Sequence, residues 1–367
     1  MSDLSSVSVF STASPQLPVS WYFDPRIYEI EKRLFFEHGP GYIGHELMVP
    51  NVGDYQALEW LGDAKALVHS EHGIELLSNV CRHRQAIMLK GRGTARNIVC
   101  PLHRWTYTLD GRLLGAPQFA QNPCLDLAKS RLTTWNGLLF AGHRTVLGDL
   151  AQLSVAQKLD FSGFVFDRIE VEDYDCNWKT FIEVYLEDYH VEPFHPGLGN
   201  FVDVRALDWE FGDWYSVQTC GVKCALARPG SSVYQRWHEQ VLRYGAGGRP
   251  SHGAIWLTYF PNLMVEWYPH ALVVSSLIPR GAQACTNVVE FYYPEDIALF
   301  EREFVEAEQA AYRETAIEDA EIIARMTAGR RALLSQGIDQ SGPYQSPLED
   351  GMRHFHEFVR RELEPHL

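Results

Sequence analysis

The chain has 367 residues, 46% hydrophobic and 22% charged, with 47 acidic against 32 basic side chains and a formal charge of -15. That composition suits a globular enzyme whose core needs no disulfide staples. The acidic balance argues against nucleic acid as a partner, which would need clustered Lys and Arg, and no apolar run approaches the roughly 18 residues of a membrane span.

Residues 1–18 are Ser- and Thr-rich and read as a loose arm, lacking the basic start and apolar stretch of a signal peptide. A cytoplasmic protein is therefore expected. Ile27, Ile30, Leu34 and Phe35 recur at helical spacing and predict a helix over 21–36. Beyond Gly39-Pro40-Gly41, short alternating runs at 55–61, 66–69 and 74–80 are parted by Gly, Asp and Asn, a small-strand texture that continues to about Arg144. A helix is expected over 175–190, ending near Glu192-Pro193. Strand-like runs occupy 254–260, 263–268, 271–278 and 287–293. Helix is expected again over 295–334, and a last one over 348–363. The fold class is α+β. Its expected parts are an arm and helix over 1–37, an all-β domain over 38–148, and a helix-covered antiparallel-sheet domain over 149–367.

Seven cysteines, an odd number, point to free thiols or metal ligands. Cys81-Arg82-His83 is followed after sixteen residues by Cys100-Pro101-Leu102-His103, so each of two loops offers one thiolate and one imidazole. Cys124, Cys176, Cys220, Cys224 and Cys285 lack this pairing. Two Cys on one iron and two His on the other is the donor set of a Rieske [2Fe–2S] cluster. A zinc site is the alternative, although zinc fingers pair Cys with Cys before His with His.

The stretch from Asn79 to Arg84, with Cys100-Pro101-Leu102-His103-Arg104-Trp105, Tyr107 and Leu109-Asp110-Gly111, resembles the Rieske domain of ring-hydroxylating oxygenases. After Asn177-Trp178-Lys179 comes a second constellation: Glu183, Glu187, Asp188, His190, Glu192 and His195. On a continuous helix, positions 183, 187 and 190 would share one face, and a break at Pro193 would let His195 swing round to the metal of His190. Two histidines and a carboxylate with open positions is the pattern of non-haem iron(II) oxygenases; two unrelated histidines in a polar segment is the alternative. The resembled family carries both motifs in this order. Asp319 is the candidate third ligand, since it shares a stripe with Ile322, Ile323 and Met326 and Glu318-Asp319 matches the family's acidic pair. Glu318 and Glu321 are expected to face solvent. A surface role for Asp319 is the alternative.

The resemblance also implies that Glu187 bridges the two metal sites, with Asp188 as its rival, and that His103 of one subunit meets Glu187 of the next in a head-to-tail homotrimer. The chain lacks a dinucleotide-binding Gly-rich loop. NAD(P)H is therefore expected to act only through a separate reductase, with or without a ferredoxin. The implied cofactors are a [2Fe–2S] cluster and a mononuclear Fe(II), with O2 and a small molecule as substrates. The Glu-x-Tyr-His order and the ending from Ser346 to Gly351 resemble choline, carnitine and proline-betaine oxygenases. A quaternary ammonium substrate, hydroxylated or N-demethylated, is thereby expected. Trp209, Trp214, Tyr215, Trp256, Tyr259, Trp267 and Tyr268 are candidates for a cation cage, with core packing the expected role of most. Many relatives have Glu-Asn where this chain has Glu183-Val184. An aromatic ring hydroxylase, or a Rieske electron carrier without oxygenase activity, is the alternative.

Overall fold

The computed structural model describes residues 15–62, 64–223, 226–245 and 250–367; residues 1–14 of the expected arm, and Cys224, lie outside the described residues. The N-terminal β region is built from short strands. A five-stranded antiparallel sheet runs in the order Arg92–Thr94, Asp54–Ala57, Lys65–Ser70, Gly73–Ser78, Lys129–Ser130. A three-stranded sheet of Ile98–Val99, Thr106–Tyr107 and Leu113–Gly115 packs with it around Leu77, Ile98, Trp105, Tyr107 and Leu113. The strands Tyr42–His45 and Leu138–Phe140 belong instead to a sheet whose side chains join the main core, which ties the two parts of the chain together.

That main core lies on a seven-stranded antiparallel sheet ordered Phe164–Tyr174, Ala284–Pro294, Ala271–Gly281, Leu263–Tyr268, Ala254–Tyr259, Tyr215–Val222, Val202–Gly212. Both faces are covered, so the interior strand Ala254–Tyr259 is buried at every position. Successive side chains point to opposite faces. Ile255, Leu257 and Tyr259 thus enter one core, whereas Ala254 and Trp256 enter another, shared with the helix Ser232–Tyr244 and the first turns of the helix Arg302–Ser335.

Two helical expectations are corrected. The segment 21–36 is not one regular helix. It is a 3-10 turn, Val19–Tyr22, then the helix Pro25–Glu31, and then a wider π turn, Lys32–Glu37. Pro25 opens the helix and Asp24 caps it, accepting from the backbone N–H of Arg26. The helix expected over 175–190 is shorter, Trp178–Tyr185, capped by Asn177. It stops because the backbone N–H of Asp188 donates to Leu348 O at 2.9 Å instead of continuing the helical ladder. Glu183, Glu187 and His190 therefore do not share a helix face.

Two buried charge clusters set this helix against its neighbours. Lys179 Nζ lies 2.6 Å from Glu31 Oε1, both side chains fully buried, while Trp178 Nε1 donates to Glu31 Oε2 at 2.8 Å. Glu183 accepts from Arg330 Nη2 at 2.6 Å, from the Tyr22 hydroxyl, and contacts His356 Nε2 at 2.9 Å. Burial works against the Glu183 carboxylate, yet Arg330 and His356 hold it down at about 2. The node joins the N-terminal segment, the long helix and the closing helix Asp350–Leu363 to Trp178–Tyr185. Lys179→Met leaves Glu31 buried and unpaired, and is expected to cost about 3–5 kcal/mol. Adding Glu31→Gln should recover much of that loss in chemical denaturation; a double variant as unstable as the single one would refute this account of the pair.

Candidate functional site

The two Cys–His loops have the same construction. In each, the N–H of the residue four beyond the cysteine donates to the cysteine carbonyl, Gln85 to Cys81 and Arg104 to Cys100, both at 3.1 Å. Gln85 and Arg104 take positive φ angles of 54° and 61°, which turn the chain back. The loops bring the His83 and His103 rings to 4.7 Å between centroids, and the His83 ring stacks on Trp105. Cys81 and Cys100 are buried side by side. Burial works against the Cys81 thiolate, but the backbone N–H of His83, the Tyr107 hydroxyl and Cys100 lower the thiol pKa from its ordinary value; burial raises that of Cys100. The buried His83 Nδ1 has no hydrogen-bond partner among the described residues. An orphaned imidazole nitrogen beside two thiols fits a metal cluster in this cradle.

The second site begins where the helix ends. Val191–Phe194 is a single helical turn flanked by His190 and His195, so Pro193 does not break a helix between them. It sits in a first turn, where its missing N–H has no helical partner to lose. The turn brings His190 Nε2 to 3.0 Å from His195 Nε2. Asp319, on the helix Arg302–Ser335, places Oδ1 at 2.9 Å from His195 Nε2 and 3.6 Å from His190 Nε2. Donor atoms of His190, His195 and Asp319 all lie within 4.8 Å of one another.

Both outer ring nitrogens are held by carboxylates. His190 Nδ1 bonds Glu187 Oε1 at 2.5 Å, and the His190 backbone N–H donates to Glu187 Oε2 at 3.0 Å. His195 Nδ1 bonds Glu318 Oε2 at 2.7 Å. Glu318 therefore does not face solvent as expected; it flanks the His195 ring one residue before Asp319. Glu321 does face outward, paired with Arg325. A proton held on each Nδ1 leaves each Nε2 as the atom a metal would take, displacing the proton that the metal-free ring carries there. Burial pulls the His190 pKa down, but the bonds from Asp319 and Glu187 push it up to about 10. Glu183, in contrast, points away from this site into the node with Arg330. Glu187 touches His190 and keeps 16% of its side chain exposed, whereas Asp188 is 2% exposed and lines the cavity beside the three donors.

That cavity is walled by the second core. One row of paired residues across three strands, Gln218, Trp256 and Glu266, supplies an amide, an indole and a carboxylate. Tyr268 and Tyr312 donate to Glu266 at 2.8 and 3.1 Å, and the Tyr293 hydroxyl donates to Glu308. No Lys or Arg is among the described residues that line the cavity. Of the seven aromatic cage candidates only Trp256 and Tyr268 line it; Trp214 instead carries the Arg144 guanidinium and Tyr259 bonds Asp149. Glu266 and Glu308 carry no motif signal, and Asp188, although inside the histidine motif, meets them only because their common wall is assembled from three separate parts of the chain.

A family model described as the ring hydroxylating alpha subunit (catalytic domain) matches residues 161–364, and one of the Rieske [2Fe–2S] domain matches 42–134. The chain is 62% identical over 364 residues to putrescine 2-hydroxylase of Ralstonia nicotianae, covering 99% of this chain and 100% of that protein. It is 53% identical to putrescine 2-hydroxylase of Bordetella bronchiseptica, covering 99% and 88%. A solved quaternary ammonium Rieske monooxygenase, described as revealing inter-subunit electron transfer, superposes with a TM-score of 0.76 at 18% identity over 96% of each chain.

Burial raises Glu308 to about 8 and Glu266 to about 7. A carboxyl raised in the folded state contributes stability that is full below its unfolded value near 4.5 and lost as pH rises through the folded value. Glu308→Gln is therefore expected to gain stability relative to the parent between about pH 4.5 and 8. Denaturation midpoints compared at both ends of that range check it, and a constant difference would show that Glu308 does not titrate in this way.

Proposed function

Because the chain belongs to the Rieske-type ring-hydroxylating oxygenases, we propose that it hydroxylates a small primary diamine of the putrescine type at C2. It is an oxidoreductase of that family, whose cofactors are a [2Fe–2S] cluster and a mononuclear iron and whose members work with separate electron-transfer partners. In this reading His190, His195 and Asp319 hold the iron, and Cys81, His83, Cys100 and His103 hold the cluster. When bound, the iron supplies O2 activation. One oxygen atom enters the C2–H bond and the other leaves as water, with an electron pair from a reductase and two protons from solvent.

The observation that carries the substrate class is the cavity beside these ligands: Asp188, Glu266 and Glu308 are buried at its wall without a Lys or Arg among the described lining residues. Buried carboxylates need donors and positive charge. A primary ammonium offers both, and Trp256 and Tyr268 suit its alkyl chain and charge. A quaternary ammonium, the class expected from the sequence, has no N–H to give Asp188 or Glu266, although the fold-level likeness to a quaternary ammonium monooxygenase keeps it as the second reading. Single turnover separates them. The iron-loaded protein is reduced anaerobically, exposed to O2, and assayed with putrescine, choline, carnitine and an aromatic acid. 2-Hydroxyputrescine is expected; formaldehyde from a betaine, or a ring product, would replace the diamine reading. The same preparation should hold about three irons and two labile sulfides per chain, and Asp319→Ala about two irons. A parent protein with about two irons would be an electron carrier.

For electron delivery the reading is a head-to-tail homotrimer with a separate reductase, His103 of one subunit meeting Glu187 of its neighbour. Glu187 is partly exposed and already bonded to His190 Nδ1, which suits a bridge, and the similar solved structure is described in terms of inter-subunit transfer. Glu187→Gln is expected to keep both metal centres and slow coupled turnover by at least about tenfold, an order typical of lost outer-shell partners. Full turnover in that variant would remove Glu187 from the path.

A further inference from the structure

Besides Oδ1 of the ligand candidate Asp319, two acceptors on the cavity wall have no donor among the described residues. Asp188 Oδ2 and Gln218 Oε1 are buried without a hydrogen-bond partner, and each residue is 2% exposed. Neither arrangement is free to turn away. Gln218 Nε2 donates to Tyr185 O at 2.6 Å, which fixes the amide with its oxygen as the spare end. The Asp188 backbone donates to Leu348 O at 2.9 Å and accepts from Val191 N at 3.2 Å, which pins the residue on both sides. A buried carboxylate oxygen without a donor is costly unless a ligand supplies one.

Glu266 differs. Its carboxylate already accepts from Tyr268, Tyr312 and Ser275 at 2.8, 3.1 and 3.3 Å, so it is stabilised in place and offers charge to a ligand. Gln218 and Glu266 stand in one cross-strand row with Trp256 between them. Their backbones are thus two strands apart, about 10 Å. With both side chains reaching inward, that separation suits the two ends of a four-carbon diamine lying along the indole. Asp188, which lies outside the row, interacts electrostatically with the ligand candidate His190 and with Cys220, two residues along the strand from Gln218, and so joins the Gln218 end of the row to the His190 side of the cavity.

We propose that Asp188, helped by Gln218, anchors the ammonium next to the carbon that is hydroxylated, while Glu266 anchors the distal ammonium. This assignment rests on the diamine reading above. The two anchors fix which carbon faces the iron, so Asp188 determines the position of hydroxylation and not only affinity.

Butylamine, with a single ammonium, reports the two anchors separately. Bound at Asp188 it is hydroxylated at C2; bound at Glu266 it is reversed, and the carbon facing the iron is C3. Asp188→Asn is expected to move the product ratio about tenfold toward 3-hydroxybutylamine and to raise the putrescine KM by about tenfold or more, the scale of one charge-assisted hydrogen bond. Glu266→Gln should move the ratio the opposite way, toward 2-hydroxybutylamine. A structural role for Asp188 would lower activity without changing the ratio. Should Asp188→Asn not fold, Glu266→Gln decides alone: the shift supports the two anchors and an unchanged ratio overturns them. Parent protein that hydroxylates putrescine, with unaltered ratios and KM in both variants, overturns this assignment only. Parent protein that oxidises neither amine overturns the diamine reading, and the anchors with it.

Discussion

Everything at the catalytic end of the molecule depends on the buried carboxylate of Glu183. It holds Arg330 of the long helix, His356 of the closing helix and the Tyr22 hydroxyl at once. Arg330 also donates to Thr180 Oγ1 at 2.8 Å and covers the Tyr22 ring at 3.9 Å. Buried charges tolerate few arrangements, because any gap in the network leaves an ion without compensation. Fixing Arg330 against the helix Trp178–Tyr185 fixes the register of the long helix, and that register decides where Glu318 and Asp319 lie. The His–His–Asp group is therefore positioned by an ion cluster several turns away along the same helix.

Around the donors the chemistry is layered. Asp319 and the two Nε2 atoms converge, while Glu187 and Glu318 occupy the two Nδ1 atoms behind them. Each imidazole is thus oriented with its Nε2 toward Asp319. The cavity beyond continues the acidic lining through Asp188, Glu266 and Glu308, the last held largely as the neutral acid at neutral pH by its burial. Such a wall repels like-charged ligands and has little to offer a neutral hydrocarbon, so its charge selects substrates as much as its shape does. The hydroxyls of Tyr268, Tyr312 and Ser275 make it tolerable to the fold.

The cluster loops solve a different problem. Their thiols sit inside the small β core while the histidines lie nearer the surface, with His103 and Leu102 exposed. Backbone N–H groups face the sulfurs, and the positive φ of Gln85 and Arg104 closes each loop. Exposed Leu102 and Phe119 border the histidine edge.

How much of this was legible depended on distance along the chain. Cys81-x-His83 and Cys100-x-x-His103 are local patterns, and the alternation of the sheet strands is a period-two signal, so loops, strands and the α+β class follow from short-range spacing. His190 and His195 were legible for the same reason, and Asp319 through its helical stripe. What spacing could not supply was the end of the helix at Tyr185. That end is set by a bond from Asp188 to Leu348, and it takes Glu187 and His190 off the helix face of Glu183 that periodicity assigned to them. Nor could it supply Glu318 as partner of His195, 123 residues away, where one-residue steps on a helix put neighbours on either side of an approaching ring. Sequence determined which donors the chain owns and the local turns that present them. Tertiary structure alone decided which acids meet which imidazoles and which are left unpaired in the cavity, because burial and charge pairing are properties of elements brought together, not of any one of them.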